Sequence, residues 1–345
     1  MKKYGIALSL LILILICAFG FCGCGDKQPA TDTDEGRISA AVAEGSFDYA
    51  QKETLTGFWE TSAAYCCLGD KIYGKSVDLS GEDEKQRGAI ILSVIMTGGN
   101  PYAYQGRDLV QELLDNGVEG AFAIPVLNFI ALEAAGAEME EATVAAYIDY
   151  CCEQLSTLKM GPDIGGWAAV ALAPYAGDAT YGEQVKAAFD SYLEVVGKNL
   201  TAGTMGSDGI TAGCVITGLT ALTSAGISGC NPLTDSPWVE AKPIATMYDY
   251  LTNGEENVSD YYKAQYYMEF ADLQRVFFDS EEMGWSACGV NGARMKALLA
   301  EAEEKGAEQE LIAAAQSLSE TELQMAVPNW GRTYYALYDH VKTLK

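Results

Sequence analysis

Residues 121–136, AFAIPVLNFIALEAAG, are apolar on nearly every helical face and stop at a glycine. The next periodic stretch, Thr143–Leu155, is built differently. Val144, Ile148, Cys151, Cys152 and Leu155 fall on one stripe, with Asp149 and Glu153 off it. A helix apolar all round is enclosed by other elements, whereas one with a single apolar stripe lies on a core and turns its other face to water. The two stretches therefore predict an inner helix followed by an outer one.

The pair recurs. Gly166–Ala176 (GWAAVALAPYA) is apolar and is followed by Glu183–Leu200, with Val185, Phe189, Tyr192, Val196 and Leu200 on one face. Thr211–Ala225 (TAGCVITGLTALTSA) is followed by a helix near Pro243–Leu251, and an earlier copy pairs Gly88–Thr97 with Asp108–Leu114. The closing glycines at 99, 136, 177 and 226 lie 37, 41 and 49 residues apart. Glycine at such a point supplies the left-handed cap that ends a helix. One such unit cannot bury its inner helix alone, so the units must stack. An N-terminal pair near Ser46–Lys75 and C-terminal helices at Tyr261–Phe278, Arg294–Leu318 and Thr333–Leu344 bring the count to about six hairpins. The expectation is an all-α domain over residues 46–345, an α/α toroid with an inner and an outer ring. An open solenoid has the same periodicity.

Composition bounds the function. The chain has 345 residues, 49 % of them apolar, enough for a sizeable core. Its formal charge of −26 excludes a general nucleic-acid binder, which needs clustered Lys and Arg. His340 is the single histidine, so neither a His-rich metal site nor a Ser-His-Asp triad away from the C-terminus can be built.

The N-terminus carries the most specific signal. Lys2 and Lys3 precede an uncharged stretch from Gly5 to Phe21, and Phe21-Cys22-Gly23-Cys24 follows. A basic start, an apolar middle and small residues at the end read as a signal peptide over residues 1–23. Cysteine directly after glycine at that point resembles the lipobox of bacterial lipoproteins, although Phe21 stands where leucine is usual. That resemblance makes Cys24 the lipidated residue and places the chain on the extracellular face of the cell membrane. The alternative is an uncleaved anchor. Residues 24–45, opening with GDKQPATDTDE, read as a flexible linker. Loss of Lys2 and Lys3 with the leader takes the charge from −26 to −28, which favours a cationic or neutral ligand without selecting one.

Seven cysteines remain beyond Cys24, and neither their odd number nor the adjacent pairs Cys66-Cys67 and Cys151-Cys152 suit a disulfide framework. They read as small buried hydrophobes.

Three stretches carry a further resemblance: GPDIGGWAAVALAPYAGD (Gly161–Asp178), GGNPYAYQGRDLVQELL (Gly98–Leu114) and ALTSAGISGCNPLTDSPWVEA (Ala221–Ala241). With their helices they cover about residues 88–254, and they resemble bacterial surface proteins of the terpenoid cyclase and protein prenyltransferase superfamily. The resemblance implies an α/α toroid with a central cavity open at one end, a scaffold shared with corrinoid carriers of the transcobalamin type. The family's catalytic residues are missing. No D-x-D-D acid motif occurs, the nearest being Asp32-Thr33-Asp34-Glu35 in the linker, and no D-D-x-x-D magnesium motif occurs. Of the prenyltransferase zinc ligands only Cys288 and His340 have counterparts, with Ser286 in the place of the aspartate. No metal or other cofactor is expected.

Candidate ligand-binding residues remain. Asp163 and Asp208 each precede an inner helix, where capping of free N–H groups is the ordinary role and contact with a cavity ligand the functional one. Trp167, Tyr175 and Trp285 could stack on a sugar or planar ring, or simply fill core. Tyr261-Tyr262 and Tyr266-Tyr267 are expected to bury one ring of each pair. Three functions follow in order. The first is a membrane-tethered module binding a small-molecule, glycan or surface-protein ligand without catalysis. The second is a glycan-active hydrolase or lyase, and the third a corrinoid binder. An acidic pair in a deep aromatic-lined cavity favours the second; a shallow centre, or one plugged by side chains, favours an adhesin or assembly module.

Overall fold

The computed structural model describes residues 31–82, 86–117, 124–158, 161–201, 209–253, 259–319 and 330–344. The leader, Cys24, Asp208 and the start of the linker lie outside the described residues. The linker was expected to continue to residue 45, but helix α1 (Asp34–Gln51) starts well before that. Thr33 Oγ1 accepts the Gly36 N–H at 3.1 Å, and Asp34 and Glu35 sit in the first turn, where carboxylates face the free N–H groups. The acids read as a solvated tether instead begin a helix.

Strand β1 (Thr54–Thr56), α2 (Gly57–Leu68) and β2 (Ser76–Asp78) follow, the strands pairing in parallel with Leu55 opposite Val77. These short strands are the departure from purely helical structure. Then come α3 (Arg87–Met96), α4 (Leu109–Asn116), α5 (Ile124–Ala134), α6 (Glu141–Thr157), α7 (Pro162–Leu172), α8 (Gly182–Thr201) and α9 (Gly209–Ser224). The chain ends with the short α10 (Trp238–Ala241), α11 (Pro243–Asn253), α12 (Asp260–Phe277), the one-turn α13 (Gly284–Ala287), α14 (Gly292–Lys305), α15 (Gln309–Ser319) and α16 (Trp330–Thr343).

The protein is all-α, and the alternation of helix types sets its layers. Helices α2, α3, α5, α7, α9 and α12 pack each on the next, and α12 packs back on α2, so their contacts close a cycle of six. Around them, α1 lies on α2 and α12, α4 on α3, α6 on α5 and α7, α8 on α7, and α11 on α9 and α12. Helix α5 owes its place to having no polar face, with nine of its eleven residues buried. Close approach needs glycine. A Cβ on Gly166 of α7 would stand 2.0 Å from the Cys214 carbonyl oxygen of α9. Helices α3 and α5 lie start to start, since the Gly88 N–H of α3 donates to Asn128 Oδ1 of α5 at 3.1 Å.

Left-handed glycines end three inner helices, with φ of 73° at Gly98, 63° at Gly136 and 78° at Gly226. At the first of these the cap is Gly98 where Gly99 was expected. Gly177 is not left-handed, because α7 runs instead into a 3-10 turn at Ala173–Tyr175 around Pro174. Helices α14, α15 and α16 pack on one another. Helix α16 reaches the ends of α3 and α5, where the Gly331 N–H donates to the Gly136 carbonyl at 2.9 Å and the Tyr338 hydroxyl to the Gly98 carbonyl at 3.1 Å. Among the described residues, no helix is long and apolar enough to cross a membrane.

All seven described cysteines are free; Cys67 is half-buried and the others are buried. Burial pushes the Cys67 and Cys288 thiols up to about 12, which leaves them in the unreactive thiol form. Tyr261 and Tyr262 are both exposed, and Tyr266 and Tyr267 are both buried, contrary to the one-in, one-out expectation. The first pair begins α12, where the Tyr261 ring meets Trp59 of α2 edge-on at 6.1 Å while staying half open to solvent, and the second lies further along the helix in its buried middle.

Candidate functional site

The middle of the six-helix cycle is filled by aromatic side chains. Trp59 of α2 lies 5.6 Å from Trp167 of α7, although these helices stand opposite each other in the cycle. Trp285 of α13 stacks on Trp167 at 4.2 Å and reaches Trp59 at 6.2 Å and Phe58 at 5.4 Å. Trp167 and Trp285 are only 4 % and 2 % exposed. The open central cavity that the family resemblance implied is therefore occupied at this level by the protein's own rings.

Trp285 is held in place by the segment around it. The Gly284 N–H donates to Asp272 Oδ1 of α12 at 2.6 Å, the Val290 N–H to the Ala134 carbonyl of α5 at 2.9 Å, and Arg275 Nε to the Glu282 carbonyl at 2.8 Å. Gly284 and Gly289 let this segment lie against Cys66 and Ala134, since a Cβ on either would come within 2.3 Å and 3.0 Å of those residues. Burial raises the Asp272 carboxyl to about 6, against the lowering effect of the Gly284 N–H and Arg275.

A folded-state value above the unfolded 3.8 means that Asp272 favours the fold below about pH 4 and loses that contribution as pH rises through 6. Asp272→Asn keeps the acceptor for Gly284 and removes the ionisation. The ionisation costs up to about 3 kcal/mol at neutral pH, and burying the new amide returns part of it, so a net gain of about 1–2 kcal/mol is expected at pH 8. Thermal unfolding should show the variant more stable at pH 8 and equal or weaker at pH 4. An unchanged pH profile would contradict the assignment.

Where α5 and α7 end, beside this segment, a cavity of about 470 Å³ opens. Glu133 is the inner carboxyl, on the last turn of α5. Glu141 at the start of α6, Asp178 after the 3-10 turn and Glu282 are exposed carboxylates along its edge. Tyr175, Tyr181 and Trp285 supply aromatic wall, and Ile130, Val144 and Val170 apolar wall. Burial holds the Glu133 carboxyl well above the usual carboxylate range, partly offset by the neighbouring Tyr175 hydroxyl. Tyr175 is raised in turn by its burial and by Glu133. Its ring stacks on Phe129 at 5.6 Å and meets Tyr181 edge-on at 6.2 Å. Asp178 Oδ1 accepts the N–H groups of Thr180 and Tyr181 at 2.7 and 2.9 Å, which fixes the turn carrying Tyr181.

A second cavity, about 480 Å³, lies in the outer layer among α4, α6 and α16. Arg332, which lines it, is taken up by Asp108 at 2.6 Å and lies over the Tyr102 ring. That cavity has little aromatic or apolar wall beyond Tyr102, Val110, Leu114 and Met139.

Of the residues nominated from sequence, Tyr175 and Trp285 meet at the first cavity. Trp167 packs beneath Trp285 and does not line it. Asp163 was expected to cap its helix, but α7 starts at Pro162 with Gly161 as the capping position, so Asp163 stands in the first turn; its side chain lies outside the described residues. Cys288 Sγ donates to the Trp285 carbonyl at 3.2 Å and His340 Nε2 accepts the Glu308 N–H at 3.3 Å, so the two serve separate packing roles. Glu133, Glu141, Asp178 and Glu282 were not nominated. The signal for Glu133 was available, as it is the single charged residue in AFAIPVLNFIALEAA. A charge on an inner helix needs a reason, whereas the three rim acids resemble any solvated acid. No protein-family model, curated protein or solved structure matches this chain.

Proposed function

We propose that this chain is a non-catalytic binding module, an α/α toroid carried on the outer face of a bacterial cell membrane by a lipidated Cys24 and offering the cavity beside Trp285 to its ligand. The observation that carries the reading is the packing of Trp59, Trp167 and Trp285 across the centre of the helix cycle. Cyclase or prenyltransferase chemistry needs that space for substrate, and the cyclase acid motif is absent from the domain as well. The cavity at the end of α5 and α7 has the size and mixed polarity of a small-molecule site.

A ligand panel of neutral oligosaccharides, corrinoids, isoprenoid diphosphates and organic amines, read by thermal shift on the purified chain, tests the binding claim. A ligand at a hundred times its Kd stabilises by about 2.7 kcal/mol. Recovery of that ligand unchanged after prolonged incubation is the expected result, and its turnover would overturn the non-catalytic reading in favour of a glycan-active enzyme. That second reading draws on one observation, an inner carboxyl held toward its protonated form beside three further carboxylates. The anchor has its own test. Metabolic labelling with a tagged fatty acid should mark the parent chain and not Cys24→Ser, and an unlabelled parent would remove the lipid from the proposal.

A further inference from the structure

We infer that the cavity beside Trp285 takes an organic ammonium ion with an apolar or planar body, an inference that rests on the binding role proposed above. The four carboxylates of Glu133, Glu141, Asp178 and Glu282 line it, and among the described residues no Lys, Arg or His does. None of the four forms an ion pair among the described residues. Arg275, whose Nε holds the Glu282 carbonyl, is itself paired with Glu281 at 3.1 Å. An anionic ligand would meet the three exposed carboxylates of Glu141, Asp178 and Glu282. A ligand carrying one positive charge supplies what the inner carboxyl lacks.

The wall says what else the ligand carries. Tyr175, Tyr181 and Trp285 present aromatic surface, and an ammonium is attracted to such faces as well as to carboxylates. The indole N–H of Trp285 is buried with its residue and has no hydrogen-bond partner. The acids are too dispersed to serve a metal ion: among the described residues, no three His, Cys, Asp or Glu groups come together as a metal site. Dispersed carboxylates around aromatic wall suit a cation of extended shape. Burial favours the neutral form of Glu133 in the empty cavity, and an ammonium beside it would favour the carboxylate.

Calorimetric titration with benzylammonium, benzyltrimethylammonium and the neutral isostere benzyl alcohol tests this on the whole chain. At least one of the two cations should bind tenfold or more tighter than the alcohol, and raising the salt from 50 to 500 mM should weaken that cation several-fold. Glu133→Gln removes the inner charge at nearly constant shape and should weaken the cation about tenfold while leaving the alcohol unchanged. Glu282→Gln, at the exposed rim, is the companion variant if Glu133→Gln unfolds, and a loss of a few-fold in cation affinity is expected. Equal binding of cation and alcohol, no binding of either cation, or cation affinity indifferent to both variants would each overturn the inference. If a neutral oligosaccharide from the panel binds at this cavity while both ammonium probes fail, the binding role stands and the ammonium assignment falls. If neither the panel nor the probes bind, both fall.

Discussion

Trp285→Ala should lower the stability of the fold by about 3–5 kcal/mol, the range for deleting a fully buried aromatic from a packed core. The indole is 2 % exposed and touches rings from three other positions, Phe58, Trp59 and Trp167, with its closest stack at 4.2 Å. Those rings come from α2 and α7 on opposite sides of the helix cycle and cannot close the gap without drawing the whole cycle inward. The loss corresponds to roughly 10 °C in midpoint for a domain of this size. The void should also be refillable. Indole at millimolar concentration should recover part of the lost midpoint in the variant and leave the parent unchanged, because only the variant has an empty indole-shaped space. A loss under about 1 kcal/mol, or the same response to indole in both proteins, would mean that the aromatic packing across the centre is wrongly described.

Gly166→Ala is the second large effect, and it acts on the opposite fault, too little room. The added methyl would lie 2.0 Å from the Cys214 carbonyl oxygen and 2.8 Å from its carbon. Both atoms are backbone, so no rotamer change relieves the clash. Helices α7 and α9 must separate by roughly 1–1.5 Å to restore ordinary contact. In a cycle of six that shift passes to α5 and α12, and a cost of about 3 kcal/mol or more follows. Gly292→Ala, at the open start of α14 with no atom within 4 Å, serves as the control and should change stability by less than about 0.5 kcal/mol. Equal effects of the two substitutions in denaturant unfolding would show that α7 and α9 are not in close contact.

The two variants probe different things that the sequence reveals unequally. Gly166 sits in an apolar helical run with Gly165 and Trp167, and a glycine inside such a run already suggests a close approach. Trp285 occupies a short stretch between two helices, MGWSACG, with no periodicity to say where the ring goes. Its position was set by hydrogen bonds to Asp272 and Ala134, which are 13 and 151 residues away. Asp272 itself is one acid in a helix that carries several, and its burial follows from the packing of α12 against α2.

Helix type, by contrast, was written locally. Whether a segment is apolar on all faces or on one depends on its own residues at a spacing of 3.6, so Ala121–Ala135 and Thr143–Leu155 could be assigned to an inner and an outer layer without their neighbours. The all-α class and the order of the pairs came with that assignment. Left to the tertiary structure was everything that depends on which helices meet. Closure of the contacts from α12 back to α2 joins segments some 200 residues apart, and an open stack would have shown the same periods. The placement of Trp59, Trp167 and Trp285 in one cluster, and the gathering of Glu133, Glu141, Asp178 and Glu282 around one cavity, depend on that closure. Local periodicity fixes which side of a helix is buried; the partner on that side is chosen by packing over long sequence separations, and the site is made of those partners.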